Sequence, residues 1–486
     1  MKTGKYESTS YVNRLGFIVA ASMALAACGG TSSSDLTSGV GDSFDEPKLV
    51  AVPKAICGPD DWPETGIQGR VSRQDHLDGL AAHGFRCNTE LVGAFGNTDF
   101  TVGTIAGYRV HRYVDEAGNE CGYYDTTLLP PTNAGDANLG VRVLDMSDPS
   151  NPELSMILTS PAMLSPHESL AINQERGLLG AVMGNLSQAV LPGIVDIYDI
   201  SKNCLLPSLK SSTPLGVYGH EGAFSPDGTI YYSASQSTET IVALDITILE
   251  APVPIWVGNF VTHGLSISND GTRAYLASTE PDDEGFGFAI LDITEVQDRV
   301  LNPTVTRISN ITWESVSIPQ STVPITIGGK PYVIETDEFG GQVKTGVARI
   351  IDISDETNPK VISNIRLDVH QPENFDDQAG DPGVDTPLLT VQGYTAHFCT
   401  TPTRVDPKIV ACGMAVSGLR IFDIRDPYNP KEVAYFNAPV AERAYPEGSN
   451  WAYSSPTFVP ERKEIWYSDA FNGFFAVKVT NGAWPD

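Results

Sequence analysis

From about residue 100 to the C-terminus, short runs of apolar or alternating residues are separated by polar turns. That spacing predicts β-strands throughout, with no helix-period segment of useful length. The clearest run ends in an apolar residue followed by Asp. It recurs as Leu144-Asp145, Tyr198-Asp199, Leu244-Asp245, Leu291-Asp292, Ile351-Asp352 and Phe422-Asp423, at spacings of 54, 46, 47, 60 and 71 residues. A seventh copy, GFFAVKV from Gly473, aligns with GLRIFDI from Gly418 and carries Lys478 in place of the Asp. Ahead of the marker, HEGAFSPDGTIYYSASQ from His220 and HGLSISNDGTRAYLAST from His263 align without a gap.

Each period therefore reads as a first strand, an Asp-Gly turn, a Tyr- and Ala-rich second strand, a loop and the marker strand. A phrase such as DIRDPYNPK from Asp423 then leads into a fourth strand, here Lys431 to Phe436. Asn, Asp and Pro suit that turn because they bond local backbone groups and preset φ. Four strands in each of seven units predict an all-β, seven-bladed β-propeller, which leaves few exposed sheet edges. Either Lys48 to Val52 or the residues near Phe100 are expected to complete the last blade.

The phrases GVRVLDMSDPSNP, GVARIIDISDETNP and GLRIFDIRDPYNP resemble the LVIVD repeat family of bacterial secreted propellers, over roughly residues 100 to 480. The resemblance implies the propeller and a cell-envelope location. It implies little about chemistry, because propellers host unrelated functions.

The remaining features refine this picture. In 486 residues, Gly 45 and Pro 34 fit a turn-rich chain, and the net charge of −29 excludes nucleic acid as a partner, since that requires cationic patches. Lys2, Lys5 and Arg14 precede an apolar run from Leu15 to Ala27 that is too short to span a bilayer. It closes on Leu25-Ala26-Ala27-Cys28, which resembles a bacterial lipobox. Residues 1–27 are thus expected to be a lipoprotein signal peptide, with Cys28 lipidated and residues 28–47 a flexible tether. Gly29, by resemblance to sorted lipoproteins, favours the outer membrane, with the lipid as the only membrane contact. Residues 48–99 are expected to pack on the propeller of residues 100–486. Six further cysteines, Cys57, Cys87, Cys121, Cys204, Cys399 and Cys412, read as disulfides in an oxidising compartment. Cys399 and Cys412 flank the first turn of the sixth unit and should face each other; the pairing of the other four is open.

Four histidines open first strands: His167, His220, His263 and His397. In a propeller the first strands line the central channel, so residues at one offset form a ring. Four imidazoles there could hold one transition-metal ion, copper or iron, leaving coordination positions open for a small molecule. Glu168, Glu221 and Glu314 are candidate acceptors for the distal ring N–H groups. Because alternate strand residues face opposite ways, a Glu directly after a His serves only if the strand begins irregularly. Trp313 or Glu314, the pair Tyr453 and Ser454, and Val110 or His111 are expected at the equivalent position of the fifth, seventh and first units. The layout resembles that of the four-histidine iron carotenoid oxygenases and the copper-dependent methanethiol oxidases. The alternative is structural: each histidine hydrogen-bonds the strand of the next blade, and the chain is a binding or scaffold module.

His370 opens an acidic insertion at about residues 370–392 and is a candidate fifth ligand or lid residue. Asp376, Asp377, Asp381 and Asp385 resemble a calcium loop only in composition and read as a solvated acidic loop. His76, His83 and His111 read as solvated or loop positions.

Overall fold

Among the described residues the repeat folds as seven antiparallel sheets, six of four strands and one of five; five keep chain order in space, and two take their outermost strand from the N-terminal segment. This computed structural model describes residues 46–96, 107–126, 139–184, 192–279, 286–339, 345–384, 393–440 and 450–485. Cys28 with the signal and most of the tether, Phe100 and Asp385 lie outside them. Blade one comprises Val110–Val114, Glu120–Tyr124, Val141–Asp145 and Glu153–Leu158, and blade two Ala171–Asn173, Leu178–Val182, Pro192–Asp199 and Ser208–Val217. Blade three comprises Glu221–Phe224, Ile230–Ser235, Thr240–Asp245 and Val253–Gly258, and blade four Thr262–Ile267, Arg273–Ser278, Gly287–Asp292 and Thr306–Ile311. Blade five runs through Ile318–Ile327, Lys330–Glu338, Ala348–Asp352 and Lys360–Ile365, and blade six through Phe398–Thr400, Ile409–Gly413, Leu419–Asp423 and Lys431–Asn437. Blade seven has Thr457–Val459, Glu464–Asp469 and Gly473–Val479.

The marker Asp ends the third strand and caps the turn that follows. Asp145, Asp352 and Asp423 each accept a hydrogen bond from the backbone N–H two residues on, at 2.8–3.0 Å. A second Asp three residues later repeats the device, from Asp148 to Ser150, Asp355 to Thr357 and Asp426 to Tyr428. Lys478 departs from the pattern for a topological reason. The fourth strand of blade seven is Thr89–Phe95, from the other end of the chain, so Gly473–Val479 does not run on into a fourth strand through a turn that an Asp would cap. Lys478 instead lies opposite Glu90, with Nζ 3.5 Å from Oε1.

Of the two expected places for ring closure, the structure takes the residues near Phe100, as Thr89–Phe95; Lys48 to Val52 forms no strand, and its Val52 N–H donates to the Arg366 carbonyl at 2.7 Å. Phe85–Cys87 first adds a fifth strand outside blade six, and the chain then crosses to blade seven at Asn88, whose φ of 53° is left-handed. Asparagine tolerates that conformation better than most residues. The disulfides are Cys57–Cys87, Cys121–Cys204 and Cys399–Cys412, the last joining directly opposed residues of one hairpin. Cys121–Cys204 ties the second strand of blade one to the segment after Asp199 in blade two.

The acidic insertion corrects the reading of a solvated loop. Asp376 and Asp377 are exposed, but Asp381 is buried, its Oδ2 2.8 Å from Arg70 Nε and its Oδ1 accepting from the Arg73 N–H at 2.8 Å. An arginine from the N-terminal segment thus neutralises the one aspartate that burial would penalise.

Candidate metal centre

All four predicted histidines converge on the propeller axis. His220 and His397 immediately precede first strands, and their N–H groups are anchored by the second strands, at Ala234 and Gly413 O. His263 is the second residue of its strand, and His167 stands four residues before its own. His167 has a φ of 51°, so the chain is not extended there. That break in the two-residue alternation lets Glu168 turn inward beside its neighbour.

The rings of His167 and His220 lie 4.2 Å apart and those of His220 and His263 4.3 Å apart, centroid to centroid. Two carboxylates link the set. Glu168 lies 3.3 Å from His220 Nε2 and 3.4 Å from His397 Nε2. Glu338 lies 3.3 Å from His397 Nε2 and 3.5 Å from His263 Nε2. Three imidazoles and two carboxylates therefore close a circuit, with His167 edge-on to His220. One donor atom each from His167, Glu168 and His220 lie within 4.8 Å of one another. The cluster is sealed from solvent except at His220, whose side chain is 15% exposed against 5% or less for His263, His397 and both glutamates. Gln320, Tyr108 and Tyr453 complete the walls. Gln320 Nε2 hydrogen-bonds Glu168, the Tyr453 hydroxyl hydrogen-bonds Glu338 at 3.3 Å, and the Tyr453 ring stacks on His397 at 3.7 Å.

The hydrogen bonds fix which nitrogens face the centre. His263 Nδ1 lies 2.9 Å from Pro319 O and His397 Nδ1 2.8 Å from Tyr453 O, each on the adjoining blade. A carbonyl only accepts, so both Nδ1 atoms carry hydrogen, and in the neutral ring the Nε2 lone pair faces inward. The bonds between blades expected of structural histidines are thus present, made by one nitrogen of each ring. The same bonds orient the other nitrogen as a ligand.

Lone pairs and carboxylate oxygens that face one another across a buried space require a positive charge between them. Protons supply part of it. Burial alone would lower His397, but hydrogen bonds and charge from Glu168 and Glu338 push it up to about 9. Burial, with repulsion from His220, takes His167 and His263 down to about 3, so both stay neutral and available as ligands. Burial raises Glu338, whereas His220 and His397 more than offset it at Glu168 and hold that carboxyl well below the ordinary value. A metal ion fits the same donor set with nitrogen and oxygen ligands.

Several sequence assignments need correction. Blade five presents Pro319 and Gln320 at the ring position, not Trp313 or Glu314, because its first strand starts at Ile318. Glu314 is exposed and serves no imidazole. Glu221 sits in a regular strand and pairs with Arg109 Nη2 at 2.5 Å; burial pushes its carboxyl up to about 7. His370 is not part of the cluster. Its Nδ1 accepts from the Leu367 N–H at 3.1 Å in a buried 3₁₀ turn beside Arg366 and Arg420. Tyr453 does fill the seventh position, and Tyr108 the first. His111 is neither there nor in a loop: it lies within Val110–Val114, with Nε2 2.8 Å from Leu170 O. His76 is half-buried in the short helix Arg73–Leu77, and His83 is exposed. Sequence reasoning missed Glu338 because it comes from a second strand, at its inner end, where the repeat gives no signal.

No family model matches the chain, and no curated protein matches it. Among solved structures, it is similar to a chain of Kuenenia stuttgartiensis hydrazine synthase at 14% identity and a TM-score of 0.51, over 79% of this chain and 99% of that one. A candidate 6-phosphogluconolactonase of Bacteroides fragilis follows at 12% identity and TM-score 0.48, over 76% of this chain and 89% of that one. At such identities the likeness shows the fold alone.

Proposed function

We propose that this chain is a metal-dependent propeller of the bacterial cell envelope, holding one redox-active ion, iron or copper, on its axis and acting on a small molecule there. One observation carries the reading: donor atoms of His167, His220 and Glu168 lie within 4.8 Å of one another, with His263 and His397 closing the same circuit. Two histidines and a carboxylate on one side of an ion, with positions left open, is the donor set of non-haem iron oxygenases. That favours iron over copper. The bound ion would supply Lewis-acid or redox chemistry. The chain's own residues orient the imidazoles through Pro319 O and Tyr453 O, and exclude water with Tyr108 and Tyr453.

The test is to load the purified protein separately with iron(II), copper(II) and zinc, desalt it and measure retained metal by elemental mass spectrometry. Retention of about one iron per chain supports the assignment; retention of copper or zinc without iron keeps the metal site and overturns iron as its ion. Failure to retain any of the three at near-equal stoichiometry would return the chain to a scaffold with structural histidines.

The LVIVD-type marker strands and the Leu-Ala-Ala-Cys segment ending at Cys28 support the envelope part of the reading. Cys28→Ser should move the protein from the membrane pellet to the soluble periplasmic fraction. Continued sedimentation with membranes after that change would exclude the lipid anchor.

A further inference from the structure

At the other end of the first strands a cavity of about 660 Å³ opens between blades one, two, six and seven. Val110, Ile172, Pro402 and Phe458 contribute apolar wall, and His111, Arg112, Gln174 and Arg404 are among its polar lining. Arg109 separates it from the histidine cluster. That residue sits between Tyr108, which touches His167, and Val110, which lines the cavity. Its guanidinium bonds Glu168 O and the Glu221 carboxylate and lies 4.1 Å over the Phe398 ring.

The charge of the lining is the unexpected feature. In a chain of net charge −29, the described residues that line the cavity include two arginines and no Asp or Glu. Arg112 is neutralised from behind by Glu120 and Glu461. Among the described residues Arg404 has no acidic partner: its guanidinium hydrogen bonds go to neutral oxygens of blade four and the turn after its first strand, Ile267 O at 2.7 Å and Asn269 Oδ1 at 3.3 Å. Its backbone is held in place as well, since the Thr326 N–H donates to Arg404 O at 2.8 Å and the Asp406 N–H to Thr326 O at 2.7 Å. The sixth blade's first turn thus leans over blade five, and the side chain of Arg404, one of the residues lining the cavity, is tethered to blade four. A preorganised guanidinium without a carboxylate partner, beside apolar walls, is a recognition element for an oxyanion carried on an apolar body.

We propose that this cavity binds a small organic anion, carboxylate- or phosphate-bearing, with Arg404 as its anchor. The proposal is independent of the metal. Calorimetry with benzoate, neutral benzamide and inorganic phosphate tests it on the full-length protein. Benzoate should bind at least tenfold more tightly than benzamide, and phosphate competition will show whether the site accepts both oxyanions or the carboxylate alone. Arg404→Gln should weaken benzoate at least tenfold without changing retained metal. Thr401→Trp, which fills the cavity and leaves the charge in place, should do the same and serves if the first variant misfolds. Equal binding of benzoate and benzamide, no detectable benzoate binding, or unchanged affinity in a folded variant would overturn the proposal.

Discussion

Replacing His220 with alanine should strip the axial centre of metal while the propeller stays folded. Its ring contacts His167, His263 and Glu168 within the cluster, and it is the most exposed of the imidazoles shown to face the two carboxylates. Truncation therefore removes a ligand without opening a sealed apolar core. The loss of affinity should exceed the roughly 10–100-fold typical of losing an outer partner of a ligand. Glu338→Gln, which keeps shape and removes charge, should fall within that smaller range. The contrast matters because a misfolded variant would lose metal in either position. Native protein saturated at about a thousand times Kd should gain about 4 kcal/mol from the ion, so a chelator should lower its Tm. The His220→Ala protein should show a Tm that no chelator moves. If wild-type Tm is also indifferent to chelator and loading, the cluster is held by protons alone and the histidines are structural.

What the sequence revealed of this centre, and what it hid, follows from where the information lies. The blades were legible because the apolar run and its Asp recur, and the Asp recurs because each third strand must turn into its fourth. Lys478 is the exception that the ring closure explains, yet the closing strand Thr89–Phe95 carries no marker of its own. Cys399 and Cys412 could be paired because symmetry about one hairpin turn dictates their register. The other four cysteines join segments 30 and 83 residues apart, where spacing imposes no geometry. The four histidines were found as a shared offset. Glu168 needed the left-handed φ of His167, and Glu338 needed the three-dimensional arrangement of a second strand. His370 was misplaced because an insertion has no register to argue from.

The second large effect should come from Arg420→Met, at the joint between the N-terminal segment and blade six. Arg420 is fully buried and ion-paired to Glu64 and, at 3.0 Å, to Glu432, with its guanidinium 4.4 Å over the Tyr435 ring. Glu64 belongs to the segment that leads into Phe85–Cys87 and Thr89–Phe95, and so to the strands that close the ring. Glu432 also receives Gln68 Nε2 at 2.9 Å and the Ala55 N–H at 3.3 Å. Removing the cation leaves two buried carboxylates facing each other, a change that costs about 3–5 kcal/mol in comparable buried pairs. Burial already holds Glu64 above its ordinary value, against the pull of Arg420, and without that pull it rises further. A carboxyl raised in the folded state contributes full stability below its unfolded value and loses it as pH rises through the folded one. The deficit of Arg420→Met, measured by denaturant unfolding, should therefore be smallest near pH 4.5 and grow towards pH 8. Adding Glu64→Gln should recover part of it at the higher pH, because one of the stranded charges is gone. A deficit independent of pH, or no recovery in the double variant, would mean that packing over Tyr435 rather than charge holds this joint.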